Sequence, residues 1–335
     1  MANYDMVIIW VLCIQIVAGL YTIHEEFEPS TFFESFDFFT AEDPTHGFVD
    51  YVDKEEARSG GLIAQGNSSV YIGVDHVNRA LGRGRKSVRI ATKKEYNQML
   101  VVLDLLHMPG EACGSWPAFW MVGSDWPENG EVDIIEGVNR QAENRMALHS
   151  NWQCMIDIRG YSGTAVTQNC FISAPDQPAN AGCGISGPEG SFGAQFNRQN
   201  GGVYAMEWDD EDVLIWFFPR DGIPSDIVSR KKLDPREWGV PTARFHGGDC
   251  HVSSLLGPQR LVFDTTFCGD WADSDWGSSS CGRLRPRCTD YVATEPGAFR
   301  DEYWEIDSLR IYSKDRPPTT ATTTFHVSCS GRATH

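Results

Sequence analysis

Three carboxylates fall within a short apolar stretch, Glu131-Val-Asp-Ile-Ile-Glu136. Glu131 and Asp133 are two residues apart, so on a strand their side chains point to the same face. Glu136 is an odd number of residues from Glu131, which would place it on the opposite face of a regular strand. A β-bulge within residues 134–135 would add one residue and return Glu136 to the shared face. We therefore predict a bulge here and expect the three carboxylates to converge in one cleft.

Such a cluster suits the hydrolysis of a glycosidic bond, for which two flanking carboxylates are sufficient. In the retaining route one carboxylate attacks the sugar, and the other acts first as an acid and then as a base. Crowding should raise the pKa of at least one carboxyl, so that it stays protonated near neutral pH. A solvent-facing acidic strand and a calcium site are the alternatives. The stretch lacks the Asp-x-Asp-x-Asp-Gly spacing of a calcium loop, which disfavours calcium here.

Aromatic side chains are frequent in the chain, which has 11 tryptophans. A flat indole ring can stack against the CH face of a sugar, and packing in the core is the alternative for each ring. His149, in an apolar run that follows the carboxylates in sequence, could hydrogen-bond to them or to substrate, although a lone histidine is more often a satisfied core residue. The candidate substrate-binding residues are His149, Trp116, Trp120, Trp271, Glu207 and Trp208.

Short runs of alternating apolar residues, separated by Gly, Asn and Asp, make up most of the chain. The clearest runs cover residues 70–74, 87–91, 99–106, 203–208, 213–218, 260–264 and 304–312. Many strands with turn residues between them are typical of an all-β sandwich. No long amphipathic helix and no break in composition are evident, so we predict one domain over residues 21–313.

Charge and cysteine content limit the class of protein. A net charge of −18 and a pI near 4.8 argue against nucleic acid or an anionic membrane as partner, and fit an enzyme acting on a neutral polymer.

An even number of cysteines inside the domain indicates disulfides formed in an oxidising compartment, although the sequence does not choose the pairing. No Cys-x2-Cys pair is present, which disfavours zinc. These cysteines are Cys113, Cys154, Cys170, Cys183, Cys250, Cys268, Cys281 and Cys288.

Both ends of the chain differ from the central part. We predict that residues 1–20, with an apolar run of signal-peptide length, direct secretion. An uncleaved anchor is the alternative. The residues before the run include Asp5 and no Lys or Arg, whereas signal peptides usually begin with a positive charge. Residues 314–335 are rich in Thr, and this composition predicts a disordered tail. We expect no stable membrane anchor in it. Asn67-Ser-Ser69 is an acceptor sequence for N-glycosylation and predicts an exposed loop.

The stretch Glu131–Glu136 resembles the Glu-x-Asp-x-x-Glu signature of glycoside hydrolase family 16. More narrowly, the chain is similar to the secreted fungal endo-1,3(4)-β-glucanases of the laminarinase type. Similar segments extend over most of residues 27–312. They include residues 36–39, 43–49, 115–120, 129–139, 148–149, 201–208 and 267–272.

This resemblance implies a β-jelly-roll sandwich of the concanavalin-like kind, with a substrate cleft across its concave face. It makes Glu131 the nucleophile, Asp133 its electrostatic helper and Glu136 the acid/base. The implied activity is retaining hydrolysis of internal β-1,3 or β-1,4 bonds in laminarin- or lichenan-type glucans, by a monomer that needs no cofactor. Some relatives bind a structural calcium on the convex face, and Asp307 occupies a comparable position before the end of the last strand.

Two other functions on the same scaffold stay open. A cell-wall glucan transglycosylase would share the covalent intermediate and differ in the acceptor. Related fungal transglycosylases tend to carry a shorter Glu-x-Asp-x-Glu signature, which disfavours this alternative. A non-catalytic glucan-binding lectin is disfavoured because all three carboxylates are present.

Overall fold

The computed structural model describes residues 20–248 and 250–314. Residues 1–19 and 315–335, which contain nearly all of the predicted signal peptide and tail, lie outside the described residues. The strands are β1 (Tyr21–Glu26), β2 (Phe36–Phe38), β3 (Val49–Tyr51), β4 (Ile63–Gln65), β5 (Val70–Gly73), β6 (Arg85–Ser87), β7 (Ile90–Thr92), β8 (Leu100–His107), β9 (Ser115–Gly123), β10 (Glu131–Glu136), β11 (Glu143–His149), β12 (Thr164–Ala165), β13 (Cys183–Glu189), β14 (Gly202–Trp208), β15 (Val213–Pro219), β16 (Ala243–Phe245), β17 (Gln259–Phe267) and β18 (Tyr303–Lys314).

Helices are short and lie between the strands. The α-helices are α1 (Lys54–Ser59), α2 (Gly193–Arg198), α3 (Ser225–Ser229), α4 (Val252–Leu255), α5 (Gly269–Ala272) and α6 (Cys288–Thr294). The 3-10 helices are Pro29–Ser35, Pro235–Glu237, Ser280–Arg283 and Pro296–Phe299. No helix in the described part of the chain is long and apolar enough to cross a membrane.

Two antiparallel sheets of eight strands each form the molecule. The first sheet has the order β16-β15-β14-β8-β18-β5-β4, with β1 also paired to β18. The second sheet has the order β12-β13-β11-β10-β9-β17-β7-β2. Strands β3 and β6 form a short parallel pair beside them. The prediction of an all-β sandwich is confirmed.

The main core lies between the two sheets. Val101 and Leu103 of β8 in the first sheet belong to the same buried cluster as Phe119 and Met121 of β9 in the second. Alternate residues of each strand therefore supply the core, as the period of two in a strand requires.

The opposite face of the first sheet is also covered. Leu100 and Val102 of β8 pack there in a second cluster, which includes Trp238 beyond α3. Burial on both faces explains why residues 99–106 are apolar almost without interruption. All seven predicted runs coincide with strands, but the run at 87–91 is divided between β6, which pairs with β3, and β7, which pairs with β17.

Four disulfides join all the cysteines between residues 113 and 288, which confirms the disulfide prediction and leaves no thiolate there for zinc. The pairs are Cys113–Cys281, Cys154–Cys250, Cys170–Cys183 and Cys268–Cys288. Two of them, Cys113–Cys281 and Cys268–Cys288, fix the segment that follows β17 to the rest of the sandwich.

Candidate active site

The predicted bulge is present in β10. Where β10 pairs with β9, Asp133 lies opposite Trp120 and Glu136 lies opposite Ala118. Glu136 follows Asp133 by three residues, whereas Ala118 precedes Trp120 by only two, so Ile134 is an extra residue in β10. Glu136 therefore returns to the face that carries Asp133, which we call the cleft face.

His149 joins the carboxylates from the neighbouring strand β11, where it lies opposite Glu131. Its Nε2 atom is 3.1 Å from Asp133 Oδ2 and 3.8 Å from Glu131 Oε1. The buried Nδ1 atom has no hydrogen-bond partner among the described residues. The Oδ2 atom of Asp133 is likewise buried without a hydrogen-bond partner among the described residues, so the two side chains lie close together without a well-aligned hydrogen bond.

Trp116 and Trp271 lie at the Glu136 end of the cleft face, and both are half-buried. Trp116 Nε1 donates a hydrogen bond of 2.8 Å to Glu136 Oε1. The two indole rings meet edge to face, with centroids 5.8 Å apart. Arg145 of β11 lies over the Trp271 ring, with its Cζ atom 6.0 Å from the ring centroid. These aromatic rings form a wall beside Glu136 that a sugar ring could contact.

Trp120 is also half-buried on the cleft face and lies next to a charged cluster that the sequence analysis missed. Its Nε1 atom is 3.3 Å from Asp264 Oδ2. The guanidinium of Arg89 lies 5.0 Å from the Trp120 ring centroid and 3.8 Å from the carboxylates of both Asp264 and Asp43. These residues come from β17, from the segment between β6 and β7, and from a loop near the N-terminus. Their sequence positions give no sign that they meet, because the order of the strands in the sheet decides it.

Burial raises the pKa of each carboxyl in the site. The next cause is a neighbouring negative charge: Asp133 acts on Glu131 and Glu136, and Asp264 acts on Asp133. The hydrogen bond from Trp116 lowers the pKa of Glu136 and so partly opposes these effects. At neutral pH the cluster therefore carries fewer than three negative charges and keeps a proton that a general acid can donate.

The structure corrects the expectation for Glu207 and Trp208, which lie on β14 in the first sheet and away from the carboxylates. Trp208 is 1% exposed and packs in the core between the sheets. Glu207 points to the opposite face, where it accepts a hydrogen bond of 2.6 Å from Tyr21 Oη. The prediction that they face the substrate is wrong, because an apolar strand pattern does not show which sheet the strand joins.

In the described part of the chain, the carboxylate cluster and Asp307 are candidate sites for a metal. Ligand atoms of Glu131, Asp133 and His149 lie within 4.8 Å of one another and could hold a cation. Asp307 is different, because Nη2 of Arg230 lies 3.9 Å from its carboxylate. This exposed ion pair gives the Asp307 carboxylate a positive partner from the protein itself, with which a calcium ion would have to compete.

Several known proteins are similar to this chain in sequence. The family described as XgeA-like, catalytic GH16 domain matches residues 36–312. The endo-1,3(4)-β-glucanase of Arthroderma benhamiae is 47% identical over 306 residues, which are 90% of this chain and 67% of that protein. The chain spans only 42% to 48% of the length of several Aspergillus relatives named probable endo-1,3(4)-β-glucanases.

Solved structures show the same architecture. One described as an elongating GH family 16 β-1,3-glucosyltransferase is 46% identical with a TM-score of 0.83, and covers 88% of this chain and 100% of its own. Laminarinase 16A from Phanerochaete chrysosporium, with β-glucans in donor and acceptor sites, is 38% identical with a TM-score of 0.82 and the same coverage. The bulged carboxylate strand, the sandwich around it and these matches together show that the chain belongs to glycoside hydrolase family 16, in its XgeA-like group.

Proposed function

We propose that the protein is a retaining endo-β-glucanase that hydrolyses internal β-1,3 or β-1,4 bonds of laminarin- or lichenan-type glucans. The observation that carries the proposal is the bulge at Ile134, which brings Glu131, Asp133 and Glu136 to one face. Membership of the family supports the reaction type. The names of the relatives, glucanases and laminarinases, support the substrate class.

In the proposed reaction the carboxylate of Glu131 attacks the anomeric carbon while the carboxyl of Glu136 gives its proton to the leaving oxygen. Glu136 then takes a proton from the water that attacks the glycosyl-enzyme, and Glu131 leaves as a carboxylate. The two displacements retain the configuration of the sugar. Asp133, beside His149, lies between the two glutamates; burial raises the pKa of both, and the charge of Asp133 raises it further.

Substrate contacts in this proposal come from the tryptophans of the cleft face. Trp116, Trp120 and Trp271 are half-buried, so part of each ring can contact the CH face of a glucose unit. Each such contact contributes about 1 kcal/mol beyond the burial of area.

We also propose that the enzyme is secreted and acts as a monomer without a stable membrane anchor. The four disulfides support secretion, since disulfides persist in oxidising compartments outside the cytosol. The strongly acidic surface fits a neutral polysaccharide better than an anionic partner.

The variants Glu131→Gln and Glu136→Gln test the proposal, because they remove the ionisable group and keep the size of the side chain. Glu136→Gln should lower kcat on laminarin and lichenan by about 100- to 10,000-fold, the usual contribution of a general acid. Glu131→Gln should abolish formation of the glycosyl-enzyme. The exposed Glu237→Gln is the control and should retain activity. Near-normal turnover in either cleft variant, with the fold intact, would contradict the proposal.

Transglycosylation is the second candidate, because the solved relative at 46% identity is described as an elongating glucosyltransferase. Hydrolysis and transfer share the glycosyl-enzyme and differ only in whether water or a sugar hydroxyl attacks it. Products from laminarin oligosaccharides at high concentration separate them. Chains longer than the starting material indicate transfer, and shorter chains alone indicate hydrolysis.

A further inference from the structure

Beyond the bulge, the backbone of β10 is no longer paired with the backbone of β11. The pairing of β10 with β11 covers Glu131 to Asp133 on one strand and His149 to Ala147 on the other. Beyond Asp133 the ladder between these two strands ends. The backbone that leads to Glu136 therefore needs another partner on this side.

The side chain of Asn144 on β11 supplies that partner. The backbone N–H of Glu136 donates to Asn144 Oδ1 at 2.8 Å, and Asn144 Nδ2 donates to the carbonyl of Ile134 at 2.8 Å. One carboxamide thus presents an acceptor and a donor to the bulged strand, as a peptide group of a neighbouring strand would. The reversed amide would place donor against donor and acceptor against acceptor, so the chemistry fixes its orientation.

Asn144 is itself held in place. Its side chain is fully buried. Its backbone N–H donates to Ser191 Oγ at 2.9 Å, and Ser191 Oγ donates to the carbonyl of Pro188 at 2.6 Å. The carboxamide therefore projects from an anchored backbone into the bulge.

We propose that Asn144 is a positioning residue for Glu136: its carboxamide closes the bulge and sets the direction in which the Glu136 side chain leaves the strand. The proposal rests on the proposed function, in which Glu136 is the acid/base. In the described part of the chain, the hydrogen bonds of the Asn144 carboxamide go to the backbone of Ile134 and Glu136, so we expect it to act through Glu136 and not on the substrate. A displacement of about 1 Å in a reacting group can reduce the rate about 100-fold.

Asn197 is a matched control. It makes the same pair of contacts to the backbone of Met108, accepting from its N–H at 2.9 Å and donating to its carbonyl at 2.9 Å. Met108 follows β8 and carries no group of the proposed reaction. Asn144→Ala should lower kcat about 100-fold with a smaller change in KM. Asn197→Ala should lower thermal stability and keep kcat. Equal kcat values for the two variants would overturn the proposal.

The pH dependence of the activity of Asn144→Asp distinguishes a positioning role from a general loss of stability. An ionised carboxylate at this position can accept from the Glu136 N–H but cannot donate to the Ile134 carbonyl, whereas a protonated carboxyl can do both. Activity of Asn144→Asp relative to the wild type should therefore rise as the pH falls. A ratio that is constant with pH would count against the proposal.

One measurement needs no substrate. Trp116 donates to Glu136, so its indole N–H resonance reports where the Glu136 carboxyl lies. This resonance, assigned by its loss in Trp116→Phe, should shift in Asn144→Ala and stay in place in Asn197→Ala. An unchanged resonance in Asn144→Ala would overturn the positioning role, whatever the enzyme hydrolyses. If the resonance shifts in Asn144→Ala but the wild-type protein has no glucanase activity, the proposed function is contradicted. The positioning role of Asn144 then still holds.

Discussion

At the scale of single residues, the surroundings of each carboxyl decide its chemistry more than its type does. Glu131 and Glu136 have the same side chain, but Glu136 receives a hydrogen bond from Trp116, whereas Glu131 lies opposite His149. The sequence predicted that these glutamates share a face. It could not show that Asp264 and Arg89 would lie beside them, because those residues reach the site only through the order of strands in the sheet.

Trp116→Phe should move the basic limb of the kcat/KM–pH profile to higher pH. The indole N–H lowers the pKa of Glu136, so removing it raises that pKa further. Glu136 must be protonated to donate, so activity should extend into a more basic range. Phenylalanine keeps a ring against Trp271, which limits other changes. Trp126→Phe, at a tryptophan that is 42% exposed, is the control. A basic limb that stays in place or moves to lower pH would show that the hydrogen bond does not tune Glu136.

Asp133→Asn should stabilise the protein increasingly as the pH rises from about 4 to about 8. Burial, followed by the charge of Asp264, raises the pKa of Asp133 to about 8. The usual value in an unfolded chain is about 3.9. A carboxyl with a raised pKa binds more protons in the folded state, so its contribution is complete below the unfolded pKa and is lost as the pH approaches the folded pKa. The difference in Tm between variant and wild type, measured across this range, checks the prediction. A difference that does not change with pH would contradict it.

At the scale of elements, the local pattern predicted which residues form strands but not how the strands are arranged. The bulge in β10 followed from the odd spacing of Glu131 and Glu136, because a shared face requires one extra residue. The place of β14 in the first sheet had no such local constraint, and the expectation for Glu207 and Trp208 failed for this reason. The division of residues 87–91 into β6 and β7 likewise depends on the partners of each strand, β3 and β17.

The segment around α5 carries Trp271 and depends on the disulfide Cys268–Cys288. Replacing both cysteines by alanine should raise KM for laminarin with a smaller effect on kcat, because Trp271 loses its fixed place in the cleft wall. Unfolding free energy should fall by about 2–5 kcal/mol. The double alanine variant of Cys154 and Cys250 is the control, with a loss of stability and an unchanged KM. Steady-state kinetics and denaturant titration measure both effects. Equal changes in KM would mean that the disulfide has no specific link to Trp271.

At the scale of the whole molecule, the two sheets have different surroundings. The first sheet is covered on both faces at its centre, whereas the cleft face of the second carries the half-buried rings of Trp116, Trp120 and Trp271. Composition and alternation were sufficient to predict a sandwich of this kind. They could not assign eight strands to each sheet, because pairings such as β17 with β9 join segments more than a hundred residues apart.

Asn67 should carry an N-linked glycan when the protein passes through a eukaryotic secretory pathway. The residue is exposed in the turn between β4 and β5, and β4 lies at the edge of the first sheet. Digestion with an endoglycosidase should reduce the mass of the wild type but not of Asn67→Gln. Asn97→Gln, at an exposed asparagine without an acceptor sequence, should behave as the wild type. A wild-type mass that digestion leaves unchanged would contradict the prediction.

Strand β10 lies between its nearest neighbours in the sequence, since β9, β10 and β11 form one consecutive meander. During synthesis the proposed nucleophile and acid therefore leave the ribosome together with the strands that flank them. Trp271 and the disulfide Cys113–Cys281, which spans 168 residues, can join only when most of the chain has been made. Because local contacts form faster than distant ones, the carboxylate strand should acquire its shape before Trp271 completes the cleft wall. A nascent chain released before β17 would thus contain the proposed reacting groups with Trp116 and Trp120 beside them, but without Trp271.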